Sequence, residues 1–306
     1  MLEPKECERV CICLKRGIRL IHVKILPEKG EGNGAILCLG WGFPDEQMKL
    51  LVVGDVVGKV GRRMLKSAIP VIRKENDVDM VVANGENAAG GNGLTHEVLD
   101  ELLSSGVDVL TSGNHIFDKK EVFEFLDDIP AVLRPLNLPR STPGHGYVVT
   151  SRHGVPVAVI NVAGRAFMPF SYDDPFLAVD GVLNSLAPEV RIVLVDIHAE
   201  TTSEKSALAW YFDGKVSAVV GTHTHVQTAD ERILPHGTGF ITDLGMTGPR
   251  DSVIGVKTEL VIRKLRTQMP VRFETAGGPG QFGGLIVDID EITGLCRGLS
   301  RIFYTE

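Results

Sequence analysis

Short apolar runs that each end in a cluster of polar residues limit the fold of this sequence more than any other feature. Helical patterns separate several of these runs, which indicates an α/β protein. The clusters contain Asp55, Glu86 with Asn87, Asn114 with His115, His198, and His223 with His225. Because the carboxyl ends of strands line the ligand crevice in open α/β sheets, we expect the clusters to meet in one place.

The order of the remaining patterns predicts two sheets. The pattern predicts helices over 61–76 with a kink at Pro70, over 95–106 with Thr95 as N-cap and Gly106 as stop, and over 118–128. A β-rich middle and closing strands follow. We therefore predict a four-layer α/β/β/α sandwich of two facing sheets with outer helices over residues 48–306.

Residues 1–47 differ from the rest of the chain. They hold seven basic and seven acidic residues, so the net charge of −7 belongs to residues 48–306. We expect this extension to be poorly ordered, or to precede a true start at Met48. The domain boundary is placed at that methionine because the first buried strand begins directly after it.

The pair His223 and His225 follows the apolar run VSAVV. Side chains two residues apart on a strand share a face, so we expect the two rings to point the same way, with Cα atoms ~6.6 Å apart. This spacing suits ligands of one metal ion, ligands of two adjacent ions, or a pair of hydrogen-bonded histidines. The pair alone does not decide between these roles.

The composition excludes several classes of function. Without a basic patch and with a net charge of −7, the chain is not expected to bind duplex nucleic acid. No apolar run is long enough to span a membrane, and charges scattered through residues 1–26 do not fit a secretory signal. The five cysteines do not form a disulfide framework, so we expect a cytoplasmic protein. The sequence leaves a homo-oligomer open.

The residue types in the clusters suit a pair of metal ions. They offer carboxylate or amide oxygens and imidazole nitrogens, which favour Fe, Mn or Zn over Cu(I) or a structural cysteine–zinc site. Two such ions can activate water and clamp the oxygens of an in-line displacement at phosphorus. Each cluster alone also has an ordinary explanation, such as a helix cap at Asp55 or a core histidine at His198. Their joint occurrence at strand ends favours the metal site.

A glycine-rich turn at Gly54, Gly58 and Gly61 suggests a second class of protein, a dinucleotide-binding oxidoreductase. The glycine spacing matches that fingerprint only loosely, and no acidic residue ends the second strand until Glu86. The metal site is therefore the better interpretation.

The ordered blocks GD, GEN, GNH, H and GTHTH resemble those of calcineurin-like metallophosphoesterases. The longer segments LVVGDVVGKVGRR, NGENAAGGNGLT, SGNHIFDKKE, DIHAETTSEK and VVGTHTHVQTAD resemble more closely the YmdB-type family of bacterial phosphodiesterases, over residues 48–306. Val57 stands where the broad superfamily usually has His, and Glu86 where it usually has Asp. The resemblance implies that Asn87 supplies the donor that Val57 cannot.

This resemblance implies two metal ions per chain and their ligands. The first ion would take Asp55, Glu86, Asn87 and His225. The second would take Glu86, Asn114, His198 and His223, so that Glu86 bridges the two. Iron is the metal associated with the family, so the resemblance implies iron, and the sequence leaves manganese open.

The resemblance also implies a phosphodiesterase that opens 2′,3′-cyclic nucleotides at the 2′ bond. A metal-bound hydroxide would attack phosphorus, and His115, which has no ligand role, would protonate the leaving alkoxide as general acid. Alternatives are a phosphodiesterase or phosphatase for another small phosphoester, for example 3′,5′-cyclic nucleotides, and a nucleotide-sensing regulator that retains the metal site. For Arg165 the sequence favours a surface salt bridge over a contact with substrate phosphate.

Overall fold

The computed structural model describes residues 9–14, 17–25, 37–40 and 47–306. The chain divides into two compact units, Met1–Glu46 and Gln47–Glu306. In the first unit, an antiparallel sheet has the strand order β1 (Arg9–Leu14), β2 (Gly17–Ile25) and β3 (Leu37–Gly40). The second unit begins one residue before the predicted boundary. That the extension is poorly ordered or precedes the true start stays a prediction.

The second unit carries the helices and the remaining strands. Its strands are β4 (Gln47–Val53), β5 (Asp55–Val56), β6 (Met80–Asn84), β7 (Val109–Thr111), β8 (Tyr147–Arg152), β9 (Val155–Ala163), β10 (Ile192–His198), β11 (Ala218–Thr222), β12 (Arg232–Ile233), β13 (Gly239–Ile241), β14 (Met246–Pro249), β15 (Gly280–Asp290) and β16 (Cys296–Thr305). Its helices are α1 (Gly58–Asn76), α2 (His96–Ser104), α3 (Pro175–Leu183), α4 (Thr202–Tyr211) and α5 (Thr258–Thr267), with a 3-10 helix at Lys120–Glu124.

These strands form two sheets. One has the order β12-β13-β11-β10-β9-β8, and the other has the order β5-β14-β15-β4-β6-β7 with β16 paired to β15. Strands β4, β6 and β7 run parallel in one sheet, and β9, β10 and β11 run parallel in the other. Parallel neighbours end at the same edge of a sheet, so the polar residues that follow them are brought together.

Three apolar layers hold the second unit together. The middle layer joins the two sheets through buried residues such as Leu50 of β4 and Leu194 of β10. One outer layer packs α1 and α2 on the first sheet, and the other packs α3 and α4 on the second. Side chains alternate between faces along a strand, so each strand supplies both a middle and an outer layer. The predicted four-layer sandwich is confirmed.

Side-chain caps begin α2 and α3, whereas α1, α4 and α5 start without a side-chain cap hydrogen bond. Thr95 caps α2 as predicted, because its Oγ1 accepts a hydrogen bond from Val98 N at 3.4 Å. The predicted helix over 118–128 is wrong, since only the short 3-10 helix forms there. Asp118, a residue type that often caps helices, instead accepts a hydrogen bond from Asn92 Nδ2 at 2.7 Å and contacts His115.

Helix α5 lies in an exposed excursion, the segment 257–274, which the sequence did not predict. None of its ten residues is buried. The excursion closes where it began, because Lys257 N donates to Glu274 O at 3.0 Å and Lys257 Nζ lies 2.6 Å from Glu274 Oε2. Neither α5 nor any other helix in the described part of the chain is long and apolar enough to cross a membrane.

A protein truncated to begin at Met48 is expected to keep the specific activity and the thermal stability of the full chain. The three apolar layers of the sandwich are built from residues of the second unit, so removing residues 1–47 leaves them intact. The melting temperature should change by less than about 4 °C, which corresponds to roughly 1 kcal/mol for a chain of this size. A truncated protein that fails to fold would show that the extension is structural.

Candidate metal centre

The seven residues predicted as metal ligands come together where strands of the two sheets end. One sheet contributes Asp55 in β5, Glu86 and Asn87 after β6, and Asn114 after β7. The other contributes His198, the last residue of β10, and His223 and His225 after β11. All are buried except the last two histidines, which are partly exposed.

One group of donors surrounds Nε2 of His198. Glu86 Oε1 lies 2.9 Å from that nitrogen, Asn114 Oδ1 lies 3.2 Å from it, and His223 Nδ1 lies 3.0 Å from it. Glu86, His198 and His223 each offer one ligand atom, and these atoms all lie within 4.8 Å of one another. A group with this spacing can hold a metal ion. Its members and Asn114 are the predicted second ligand set.

A second group surrounds the side-chain amide of Asn87. Its Nδ2 lies 3.4 Å from Asp55 Oδ1, 3.3 Å from Glu86 Oε1 and 3.4 Å from His225 Nε2. All three atoms can donate an electron pair, and they converge on one point. Rotating the amide by half a turn exchanges its nitrogen and oxygen, so Asn87 can offer an oxygen there as well. These residues are the predicted first set, and Glu86 belongs to both groups.

His223 and His225 lie in a turn, so the predicted reason for their common direction is wrong. Strand β11 ends before them, and both adopt left-handed backbone conformations, with φ of 100° and 65°. Asp243 holds the turn, because its Oδ2 accepts from Thr224 N at 3.1 Å and from Thr224 Oγ1 at 2.7 Å. The same oxygen pairs with the buried Lys205 Nζ at 2.7 Å. The turn therefore directs the two rings toward different donor groups.

Hydrogen bonds orient the ring of His198. Its Nδ1 lies 3.0 Å from Thr222 Oγ1, with Asn84 Nδ2 farther away at 3.3 Å. Thr222 Oγ1 donates its only proton to Asp196 Oδ1 at 2.8 Å, so it can only accept from His198. Nδ1 then carries one proton, so loss of the other ring proton would leave the lone pair of Nε2 facing the donor group. This is the orientation that a metal-binding histidine needs.

The charges of the cluster favour a cation at its centre. Burial raises the pKa of the Asp55 carboxyl, but His225 and His198 outweigh it and hold that pKa below its usual value. Burial and His198 act on the pKa of Glu86 in the same opposed way, with a net lowering. Burial lowers the pKa of His225, yet Asp55 raises it to about 9. Two buried carboxylates thus stay ionised, and protons on histidine or a bound cation can balance them.

A cavity of about 510 Å³ opens onto this cluster. Both donor groups face it, since its lining includes Glu86, Asn87, His223 and His225. Among the described lining residues none is Lys or Arg, whereas Glu200 and Glu274 add two further carboxyl groups. A phosphoester entering the cavity would therefore need bound cations to balance its charge.

His115 lies in the cavity wall, outside both donor groups. Its backbone N–H donates to Glu86 Oε2 at 2.9 Å, and its ring Nδ1 lies 2.8 Å from Asp118 Oδ2. The other ring nitrogen, Nε2, makes no hydrogen bond within the described residues. An imidazole held by a carboxylate on one nitrogen and free on the other is suited to transferring a proton.

Sequence reasoning missed several groups that hold the histidines in place. Glu200 Oε2 lies 3.0 Å from His223 Nε2, and the Ile254 carbonyl lies 2.9 Å from His225 Nδ1. Glu200 and Asp243 each follow a buried strand by two residues, so inspection of every strand end would have found them. No sequence signal marks Ile254, because it acts through its backbone.

Gly113 lets the ring of His198 approach the loop after β7. A Cβ at this position would lie 2.0 Å from His198 Cδ2 and 2.2 Å from Nε2. Gly113→Ala is therefore expected to displace the ring, to destabilise the fold by about 1–3 kcal/mol and to weaken metal binding. Thermal unfolding and metal content measure both effects. Gly181→Ala in α3 is the control, since a Cβ there meets nothing within 4 Å. Equal behaviour of the two variants would contradict the prediction.

Comparison with known proteins identifies the family. The sequence model of the family described as YmdB-like protein matches residues 51–302. The chain belongs to the YmdB-like family. The resemblance seen in the sequence motifs is thereby confirmed.

Three relatives match this chain in sequence, and two of them are solved structures that also match its fold. A Bacillus subtilis (strain 168) protein named 2′,3′-cyclic-nucleotide 2′-phosphodiesterase is 48% identical over 259 residues, covering 85% of this chain and 98% of that protein. A solved structure of a hypothetical protein from Thermus thermophilus has a TM-score of 0.80 at 42% identity, covering 85% of this chain and 100% of that one. A novel phosphatase from Mycoplasma pneumoniae has a TM-score of 0.81 at 33% identity, covering 85% and 94%.

Proposed function

We propose that this chain is a two-metal phosphodiesterase that hydrolyses 2′,3′-cyclic nucleotides at the 2′ bond. Membership of the YmdB-like family and the likeness to the B. subtilis phosphodiesterase support phosphodiester hydrolysis and this substrate class. The observation that carries the two-metal part is the position of Glu86. Its Oε1 lies 2.9 Å from His198 Nε2 in one donor group and 3.3 Å from Asn87 Nδ2 in the other.

The donor atoms suit two cations of the iron or manganese type. Each group combines carboxylate, amide and imidazole donors, which these metals accept. Bound there, two ions would activate a water molecule and neutralise charge on the phosphate oxygens. We propose one site of Asp55, Glu86, Asn87 and His225, and a second of Glu86, Asn114, His198 and His223.

The leaving group needs a proton, and His115 is placed to give it. Hydrolysis at the 2′ bond breaks the bond between phosphorus and O2′ and yields a nucleoside 3′-phosphate. Asp118 holds Nδ1 of His115, so Nε2 would donate the proton to O2′ as that bond breaks. The proposed partner of this site is a small cyclic nucleotide. The proposed location of the protein is the cytoplasm.

A substrate panel tests the proposal. Purified protein is loaded with iron under anaerobic conditions or with manganese, and turnover is measured on 2′,3′-cyclic nucleotides, 3′,5′-cyclic nucleotides and aryl phosphates. We expect the highest kcat/KM on 2′,3′-cyclic nucleotides, with 3′-phosphates as products. Preference for 3′,5′-cyclic nucleotides would reassign the substrate. Stoichiometric metal without turnover of any substrate would favour a sensing role.

A further inference from the structure

We propose that the loop 164–174 binds the nucleotide, with the Phe167 ring stacking on the nucleobase and the Arg165 guanidinium pairing with a phosphate oxygen. This inference rests on the proposed function and adds its specificity-determining residues. The loop follows strand β9 and carries the exposed aromatic side chains of Phe167 and Phe170.

The loop begins beside the metal centre. Ala163, the last residue of β9, is the register partner of His198 in the parallel sheet, and Gly164 N donates to His198 O at 3.0 Å. Paired residues on adjacent strands lie ~4.8 Å apart, which is the distance between the Cα atoms of Ala163 and His198. The two residues from Ala163 to Arg165 extend at most ~7 Å further. The Cα of Arg165 thus lies within roughly 12 Å of the Cα of His198, which the length of an arginine side chain can largely bridge. Burial raises the pKa of the Tyr172 hydroxyl, near the other end of the loop, and the charge of Glu86 raises it further.

Phe167 is held in a conformation that stability does not explain. Its side chain is 88% exposed, so it contributes almost nothing to the core. Its φ is 62°, in the left-handed region that bulky residues rarely adopt. A strained and exposed aromatic residue, in a loop that begins beside a candidate site, is a feature that function explains better than folding.

The loop is anchored rather than free. The carboxylate of Glu204 in α4 accepts hydrogen bonds from Arg165 N at 2.8 Å and from Ala166 N at 3.2 Å. Thr201 Oγ1 also donates to Glu204, at 2.8 Å, which fixes this carboxylate. The backbone on either side of the Arg165 side chain is therefore positioned before a ligand arrives, which lowers the entropy lost on binding.

Arg165 supplies the charge that the cavity wall lacks. Its side chain forms no ion pair or hydrogen bond within the described residues, so the predicted surface salt bridge is wrong. The described lining of the cavity has carboxylates but no Lys or Arg. An anionic substrate would find in Arg165 a guanidinium that is not already neutralised, and guanidinium groups bind phosphate oxygens well.

Kinetics of Phe167→Ala test the stacking role. Base–aromatic stacking predicts that KM for 2′,3′-cyclic AMP rises about 10-fold, with kcat within twofold of the wild type. KM for ribose 2,3-cyclic phosphate, which has no base, should not change. Phe167→Tyr should restore KM for the nucleotide. Phe123→Ala removes another exposed phenylalanine, 50% exposed and outside the cavity lining, and should change neither constant.

Arg165→Gln tests the second contact. Both substrates carry the phosphate, so KM should rise on the nucleotide and on the base-free sugar alike, with Arg165→Lys intermediate.

Unchanged KM in the Phe167→Ala protein would overturn the stacking role. A rise in KM confined to Phe273→Ala would also overturn it, since Phe273 lies in the cavity wall.

The proposed function and this inference fail separately. If the wild type turns over no 2′,3′-cyclic nucleotide, the proposed function fails, and the loop is then tested by calorimetric titration with 3′-AMP. Weaker binding of 3′-AMP by Phe167→Ala than by the wild type would support the loop's role. Equal binding would overturn it.

Discussion

Replacing Glu86 by alanine is expected to leave the purified protein almost free of metal and without measurable turnover. Glu86 is the residue that both donor groups share, so its loss removes a ligand and a negative charge from each site. The expected fall in kcat/KM is more than about 10³-fold, because bound metal ions supply several kcal/mol of charge stabilisation. Metal content per chain, measured by elemental analysis, and kcat/KM check the two parts separately.

Three further variants are compared with Glu86→Ala to show that its effect is specific to a residue shared by both sites. His225→Ala should mainly weaken the site that includes Asp55, and His223→Ala the site that includes His198, so each should leave about one ion per chain. Glu189→Ala removes an exposed carboxylate that precedes the start of β10, at the opposite end of that strand from His198, and should change nothing. Near two ions per chain in folded Glu86→Ala protein would refute the bridging role of Glu86.

Replacing His115 by alanine is expected to lower the rate of turnover without lowering the metal content. Its ring contacts Asp118 and no member of either donor group, so both ions should be retained. Without a general acid, turnover of 2′,3′-cyclic nucleotides should fall by ~10²–10⁴-fold. The loss should be far smaller on a nitrophenyl ester, whose leaving group departs without a proton.

Turnover of the cyclic nucleotide and of the nitrophenyl ester by His115→Ala distinguishes a general acid from the other possible roles of His115. Equal losses on the nucleotide and on the nitrophenyl ester, with metal content intact, would indicate a binding or electrostatic role. Loss of one ion would make His115 a ligand. Asp118→Asn keeps the size of the side chain but removes its charge, so we expect it to lower kcat and to shift the pH profile while both metals remain.

The sequence was sufficient to predict the fold and the convergence of the candidate ligands, for a reason that particular residues illustrate. Asp55, Glu86, Asn114 and His198 all lie in or directly after buried strands, and parallel strands end at a common edge. That relation is a property of every open α/β sheet, so strand patterns alone place these residues near one another. The family resemblance then implied two ligand sets. The members of each set contact one another, and their role as metal ligands stays a prediction.

The parts that could not be predicted depend on conformations that local patterns do not encode. His223 and His225 were assigned to a strand, but the contacts of Asp243 with Thr224 hold them in a left-handed turn. That interaction joins residues 19 positions apart, which no periodicity in the segment records. The segment 118–128 has a helical pattern, yet the use of Asp118 beside His115 leaves only a 3-10 helix.

The exposed helix α5 makes one part of the cavity wall easier to unfold locally than the rest of the cavity. An isolated helix of ten residues is marginal in water, and α5 has no buried side chain to compensate. Opening the excursion that it occupies therefore costs little free energy, whereas displacing the donor groups requires separating two sheets. Phe273 and Glu274 lie at the end of that excursion and line the cavity. The cavity thus has a rigid floor, formed by the donor groups, and one wall segment that opens at a lower cost in free energy.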